Sequence, residues 1–119
     1  MLVTGVHHVS LNVTDLDRSL AFWVDLVGLR PVPRPAFGFD GAWLAVGDQQ
    51  LHLLAIGRVP PDGGQHFAVA VGDLDGAVAH LRAAGVEVSE PSALPTGARQ
   101  SFCHDPDGNR LELHQPAGG

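Results

Sequence analysis

The chain contains an internal repeat, which limits the folds that are open to it. The strand-like stretch at residues 8–13 (HVSLNV) recurs at residues 66–71 (HFAVAV), and each copy leads into the tripeptide Asp-Leu-Asp. A helix-like segment follows in both copies and ends at a glycine, Gly28 in the first and Gly85 in the second. A repeated unit of this size cannot close a core alone, so it must pack on another copy, either within the chain or in a second molecule.

Each half is predicted to form a strand, a helix and three further strands. Helical spacing places one apolar stripe in the first half, and a second stripe includes Leu74, Val78 and Leu81. The proline-rich stretch at 30–35 predicts an edge strand or an extended arm, because proline cannot donate to a sheet ladder. The first stripe comprises Leu16, Leu20, Trp23 and Val27. The other strands are predicted over 6–13, 42–46, 50–56, 66–71, 86–89, 99–104 and 109–115. This order predicts an α+β protein whose helices cover one face of curved sheets and whose other face is concave and partly polar.

The domain organisation follows from length and from one linker. At 119 residues the chain is one domain's worth of protein and can bury its core without a disulfide or structural metal. The glycine- and proline-rich stretch at 57–64 is the predicted linker. It separates a first module over about 6–56 from a second over about 65–115, and the tail at 116–119 should be disordered.

Charge and cysteine content narrow the function classes. The formal net charge is -6 and the chain has no lysine, so it lacks the basic face that nucleic acid requires. The lone cysteine, Cys103, excludes an intrachain disulfide and is compatible with a reducing compartment. We find neither a signal-peptide pattern nor a run of about 18 apolar residues. We therefore expect a cytoplasmic protein with no nucleic-acid or membrane partner.

The repeat pairs His8 with His66 and His52 with Glu112, and all four side chains can bind a metal. Two histidines and one carboxylate from different strands form a facial set suited to divalent iron, manganese, nickel or zinc, with open positions for substrate. We predict His8, His66 and Glu112 as metal ligands and His52 as a fourth. The competing interpretation is that the histidines are surface or hydrogen-bonded residues and that Glu112 is a solvated edge-strand carboxylate.

Other polar residues are candidate substrate contacts. Ser10 and Asn12 share the polar face of the first strand with His8. Arg99 could bind an anionic substrate group with both guanidinium nitrogens, although a solvated arginine is an equally good interpretation.

Aromatic residues are candidates for a pocket wall. Phe37 and Phe39 stand in a glycine-flanked loop, and Trp43 lies on the next predicted strand; core packing is the commoner fate of such residues. Cys103 is interpreted as a small buried hydrophobe. The remaining histidines are interpreted as exposed, with His7 and His114 pointing away from the neighbouring ligands; the set is His7, His80, His104 and His114.

Three segments carry a resemblance to a known superfamily: residues 8–16 (HVSLNVTDL), 81–86 (LRAAGV) and 105–112 (DPDGNRLE). They resemble the vicinal oxygen chelate superfamily, which includes glyoxalase I, fosfomycin-resistance thioltransferases, extradiol dioxygenases and metal-free bleomycin-binding proteins. The resemblance extends from residue 8 to residue 114. It implies a paired βαβββ fold with the metal in the concave cavity, usually at a site shared by two subunits of a homodimer.

The family's metal positions match His8, His66 and Glu112, and His52 occupies the place of a glutamate found in many glyoxalases. The resemblance implies a metal-dependent, glyoxalase-like lyase, isomerase or transferase whose ion chelates a small oxygen-bearing substrate. His52 is the candidate base in place of that glutamate, and Glu112 is also a catalytic candidate. The chain has no tyrosine and no lysine, unlike the phosphonate site of the thioltransferases.

Two other functions stay open under the same resemblance. One is a metal-free binding or resistance protein of the bleomycin-resistance type, which holds an apolar molecule in a dimer cleft walled by Trp43, Phe37 and Phe39. Such binders lose the ligands, so their presence here argues against this function. The other is an extradiol dioxygenase, which uses the same three-ligand set with iron but is usually a longer protein.

Overall fold

In a computed structural model, which describes residues 1–118, the chain forms two four-stranded mixed sheets. It divides into two compact units, Met1–Pro60 and Pro61–Gly119. Each unit has the order strand, helix and three strands, so the predicted α+β architecture of two βαβββ modules is confirmed. No helical segment in the described part of the chain has the length and hydropathy needed to span a bilayer.

The first sheet has β1 and β4 as parallel neighbours and β2 at one edge. Its order is β1-β4-β3-β2, and the β4–β3 and β3–β2 pairs are antiparallel. The edge position of β2 confirms the interpretation of the proline-rich stretch. The strands are β1 (His8–Asn12), β2 (Arg30–Val32), β3 (Gly41–Val46) and β4 (Gln49–Leu54).

The first helix is less regular than its sequence pattern predicts. The helix α1 (Leu16–Leu20) begins with the Asp15 carboxylate accepting the backbone N–H of Arg18, and it continues as a π-helical segment over Ala21–Leu26. Because the π-helix places an extra residue in each turn, the 3.6-residue spacing does not hold. Phe22 and Trp23 are buried and pack edge to face, with ring centroids 5.0 Å apart. The other predicted stripe residues, Leu16, Leu20 and Val27, are only half-buried.

The second sheet repeats the topology of the first. Its order is β5-β8-β7-β6, with β5 parallel to β8. The helix α2 (Leu74–Ala83) contacts β7 and β8, and its predicted stripe of Leu74, Val78 and Leu81 is buried. The strands are β5 (His66–Ala70), β6 (Ser92–Ala93), β7 (Arg99–His104) and β8 (Arg110–Gln115).

The strand predicted over residues 86–89 is absent from the second unit, and the short strand lies at Ser92–Ala93. Val88 is buried, which explains the strand-like apolar pattern. Within residues 86–89, Ser89 hydrogen-bonds to β7: its N–H donates to the Phe102 carbonyl, and its hydroxyl accepts the Phe102 N–H. The apolar pattern here reflects packing rather than ladder formation.

In both sheets one face carries buried leucines and the other carries candidate metal ligands. Leu51 and Leu53 of β4 are buried, and His52 between them faces the other side. Leu111 and Leu113 of β8 flank Glu112 in the same way. The two sheets therefore present equivalent strand positions on the face opposite the leucines.

Candidate functional site

Register places the predicted residues of the first unit on one sheet face. His8, Ser10 and Asn12 alternate along β1, so they share a face. Ser10 pairs with His52 on β4, and Trp43 on β3 pairs with His52 from the other side. This face thus combines two candidate ligands, two candidate substrate contacts and one aromatic ring.

His52 lies in a stack of flat rings. Its ring is 3.9 Å from that of His8, with an angle of 18° between the planes, and 4.3 Å from the Trp43 ring, at 6°. The Nε2 atom lies 2.8 Å from Gln50 Oε1. Because an amide oxygen can only accept, Nε2 carries hydrogen in this contact and Nδ1 keeps its lone pair.

The surroundings of His52 favour a neutral ring. The side chain is only 7% exposed, and burial is the main cause of its lowered pKa. The nearby charges of His8, His7 and Arg34 lower the pKa further. A neutral imidazole is the form that binds a metal or accepts a proton, so His52 has the protonation state that both predicted roles require.

His7 contacts His8, against the expectation that it points away. The two Nδ1 atoms are 2.9 Å apart, and the rings meet edge to face. Since β1 begins only at His8, the strand alternation used for that expectation does not apply to His7.

An aromatic cluster continues from the histidine stack into the loop before β3. The Phe37 ring lies 6.1 Å from the Trp43 ring and 5.9 Å from the Phe39 ring. The Arg34 guanidinium lies over both phenylalanines and donates to the Phe39 carbonyl. Phe37 is 49% and Phe39 40% exposed, so this loop presents apolar surface to solvent.

The second unit holds Glu112 between two histidines. Glu112 is 8% exposed; its Oε1 lies 3.1 Å from His66 Nε2, and its Oε2 lies 2.9 Å from His114 Nδ1. His66 also donates from Nδ1 to the Gly64 carbonyl and meets the Phe102 ring edge-on at 5.2 Å. The structure thus brings together the predicted pair His66 and Glu112.

The expectation that His114 points away from Glu112 is wrong. Residues two apart on a strand share a face, so His114 lies on the face of Glu112. The sequence contained this signal in the spacing Glu112-Leu113-His114, but the repeat argument overlooked it because the equivalent of His114 in the first sheet is a leucine.

Arg99 lies on the other face of its strand from the candidate site. Its guanidinium makes two hydrogen bonds to the Asp75 carboxylate, at 3.0 and 3.1 Å, and this carboxylate raises the pKa of Arg99. Ser101 and Cys103 share that face and are buried, while Phe102 faces the side of Glu112. The position of Arg99 therefore does not suit the substrate contact predicted for it, whereas Cys103 is buried as predicted.

The four predicted metal ligands are divided between the two units. His8 and His52 lie in the first unit, and His66 and Glu112 in the second. Three imidazoles and one carboxylate suit iron, manganese, nickel or zinc. Within residues 1–118, no group of three or more histidine, cysteine, aspartate or glutamate side chains is arranged to hold a metal ion. The four-ligand set remains a prediction.

The chain belongs to the glyoxalase/bleomycin resistance protein/dioxygenase superfamily, whose sequence profile matches residues 5–113. This confirms the resemblance drawn from the three sequence segments. The superfamily contains many enzymes, and its members bind small-molecule substrates and often form dimers.

Three proteins similar to this chain are an uncharacterised protein, a transferase and an antibiotic binding protein. The uncharacterised protein YaeR of Escherichia coli is 33% identical, covering 92% of this chain and 95% of YaeR. The glutathione transferase FosA of Serratia marcescens is 34% identical, covering 95% of this chain and 82% of FosA. The structure of TnmS3, an antibiotic binding protein from Streptomyces sp. CB03234, is 30% identical with a TM-score of 0.82, covering 98% and 99% of the two chains.

Proposed function

We propose that the protein is a divalent-metal-dependent, glyoxalase-like enzyme, a lyase, isomerase or transferase that acts on a small substrate through two of its oxygens. The observation that carries this proposal is the equivalence of the four donors in the two sheets. His8 and His66 occupy the first strand of each unit, and His52 and Glu112 occupy the strand that pairs with it in parallel. Chance placement of four metal-binding side chains at repeat-related positions is a weaker explanation.

The chain's own residues divide into holding and proton-handling roles. His8, His66 and Glu112 would hold the ion, with His52 as a fourth ligand. A bound divalent ion supplies Lewis-acid activation of the substrate oxygens. Ser10 and Asn12, on the face of His8, would hydrogen-bond the substrate.

His52 is the better candidate for the base. Its lowered pKa keeps the ring neutral, and the flanking rings of His8 and Trp43 fix its plane. Glu112 already lies within hydrogen-bond distance of two histidines, so its oxygens are more engaged than the His52 ring. We therefore assign proton transfer to His52 and a mainly ligating role to Glu112.

The assembly and location belong to the same proposal. We infer a homodimer in which subunits share sites, as the superfamily resemblance implies. A lone, buried cysteine suits a cytoplasmic location.

A second candidate function is a small-molecule binding protein. The exposed aromatic cluster of Phe37, Phe39 and Trp43 offers flat apolar surface for a ligand. The similarity of the chain to the antibiotic binding protein TnmS3 supports this alternative. We rank it second because the four donor residues are retained.

Metal content tests the proposal directly. The protein is purified without chelator or histidine tag, and its metals are measured by mass spectrometry beside His8→Ala and Glu112→Ala. We expect near-stoichiometric metal that both variants lose, while the control His80→Ala, exposed in α2, retains it. Metal-free protein that also fails to take up Mn²⁺, Ni²⁺, Zn²⁺ or Fe²⁺ would refute the enzyme proposal and favour the binder. Bound iron together with oxygen consumption would instead identify a dioxygenase.

A further inference from the structure

Asp62, in the glycine- and proline-rich segment before β5, is held by residues from two strands. Its Oδ2 atom accepts from His104 Nε2 at 2.8 Å and from Arg110 Nη2 at 3.0 Å. Its Oδ1 atom accepts the backbone N–H of Gly64 at 2.9 Å. These three hydrogen bonds hold the pKa of Asp62 well below its usual range, with the Gly64 bond as the largest cause. A charged carboxylate therefore ties the loop to the ends of β7 and β8.

The loop that Asp62 holds supplies a hydrogen-bond partner for the His66 ring. The Gly64 carbonyl lies 2.9 Å from His66 Nδ1 and, as a carbonyl, can only accept. Nδ1 must therefore carry hydrogen. This directs the other ring nitrogen, Nε2, toward Glu112 Oε1 at 3.1 Å. The same contact fixes the orientation of the ring, with Nε2 facing the Glu112 carboxylate.

We propose that Asp62 is a positioning residue for His66, acting through Gly64, whose N–H donates to Asp62 and whose carbonyl contacts His66. The importance of this role rests on the proposed function, because His66 is a metal ligand only within it. Ligating histidines commonly donate their second N–H to a carbonyl or carboxylate, and loss of such a partner weakens metal binding about 10- to 100-fold. Here the glycine that supplies the partner carbonyl is itself held through its N–H, which makes Asp62 one step more remote than the usual outer partner.

The position of Arg110 gives Asp62 a second effect on the same ring. Arg110 pairs with His66 across β5 and β8, and its guanidinium lies over the Phe102 ring that His66 meets edge-on. Asp62 draws this positive group into an ion pair. Without Asp62, the positive charge of Arg110 would lose its ion pair close to the His66 ring. In the proposed function that ring binds a metal cation.

Nitrogen NMR of the His66 ring in metal-free protein tests the proposal. Spectra are recorded at about pH 8.5, where an ordinary histidine is neutral. We expect Nδ1 to be protonated and hydrogen-bonded to the Gly64 carbonyl in the native chain. In Asp62→Ala this hydrogen bond should weaken, because Gly64 is no longer held, and the Nδ1 signal should shift. The matched control is Asp75→Ala, which removes the carboxylate bound twice by Arg99 in the same unit. An Asp62→Ala spectrum with Nδ1 unchanged would overturn the proposal.

Metal affinity provides the second measurement. Calorimetry with Zn²⁺ should show binding about 10-fold weaker in Asp62→Ala and little change in Asp75→Ala. Asp62→Asn keeps an oxygen for the Gly64 N–H but loses the charge, so we expect an intermediate affinity; it also serves if the alanine variant folds poorly. Equal affinity in all four proteins would contradict the positioning role. If the native chain binds no metal, the proposed function fails, and the hydrogen bond between His66 Nδ1 and Gly64 alone decides the role of Asp62.

Discussion

His114 Nδ1 lies 2.9 Å from Glu112 Oε2, while the other carboxylate oxygen faces His66. Glu112 is buried and thus has a histidine beside each of its two carboxylate oxygens. Glu112 and His114 lie two residues apart on β8, so their side chains share one face of the strand. His114 therefore orients the carboxylate that we predict to bind metal.

Replacing His114 by alanine should lower metal affinity about 10-fold, because the carboxylate loses the partner that fixes its rotamer. Stability should change little, since His114 is only half-buried. Calorimetric titration with Zn²⁺ measures the first effect and urea denaturation the second. His80→Ala in α2 is the control, and a His114→Ala affinity equal to that of this control would show that the contact is incidental.

Trp43 should support His52 through its stacked ring. Trp43→Ala removes this support, so we expect metal binding to weaken a few-fold, while Trp43→Phe, which keeps a flat ring, should bind nearly as well as the native chain. Phe37→Ala is the comparison, because Phe37 contacts Trp43. If Phe37→Ala impairs uptake of an apolar dye and leaves metal affinity unchanged, the aromatic cluster is a ligand surface separate from the metal ligands.

Cys103 should make the folded state less stable at alkaline pH. Burial, followed by the nearby charge of Asp105, raises its pKa to about 11 from an ordinary value of 9.0. The unfolded chain therefore ionises first, so stability is complete below about pH 9 and declines as pH rises toward 11. With no lysine or tyrosine in the chain, few other groups titrate in this range.

Urea denaturation at pH 8 and pH 10 checks this expectation, with Cys103→Ala as the reference. The native chain should lose stability between the two values, and the variant should lose clearly less. Native Cys103 should also react slowly with iodoacetamide at pH 8, because little thiolate is present. Rapid labelling of the folded protein would contradict the burial of this thiol.

Gly41 should resist substitution for a steric reason. A Cβ atom at Gly41 would overlap the backbone carbonyl oxygen of Leu53 and approach the Arg34 guanidinium at 3.0 Å. We expect Gly41→Ala to lower the free energy of unfolding by about 1–3 kcal/mol. Gly38→Ala, where a Cβ meets nothing within 4 Å, should stay within about 0.5 kcal/mol of the native chain. Equal stabilities in urea would disprove the close approach of β3 to β4.

Most elements could be predicted because their signals are local and repeated. Strand alternation and the glycines that close the helices recur in both halves, and each copy supports the interpretation of the other. The π-helical segment at 21–26 was not predictable, because Leu16, Leu20, Trp23 and Val27 also fit an ordinary helix. The prediction of a strand at 86–89 was wrong. Val88 is buried by packing, and this gives the same apolar sequence pattern as a paired strand.

The sequence by itself determined which positions are equivalent: a repeat in one dimension places His8 and His66, and His52 and Glu112, on corresponding strands. Only the tertiary structure decided which side chains touch them. The His114 contact depends on a strand face, the Asp62 contact on a loop meeting the ends of two strands, and the Arg99 contact on a helix beyond the opposite face. Such contacts join residues through folding of the chain, and hydrophobic periodicity carries no information about the partner that a polar side chain will meet.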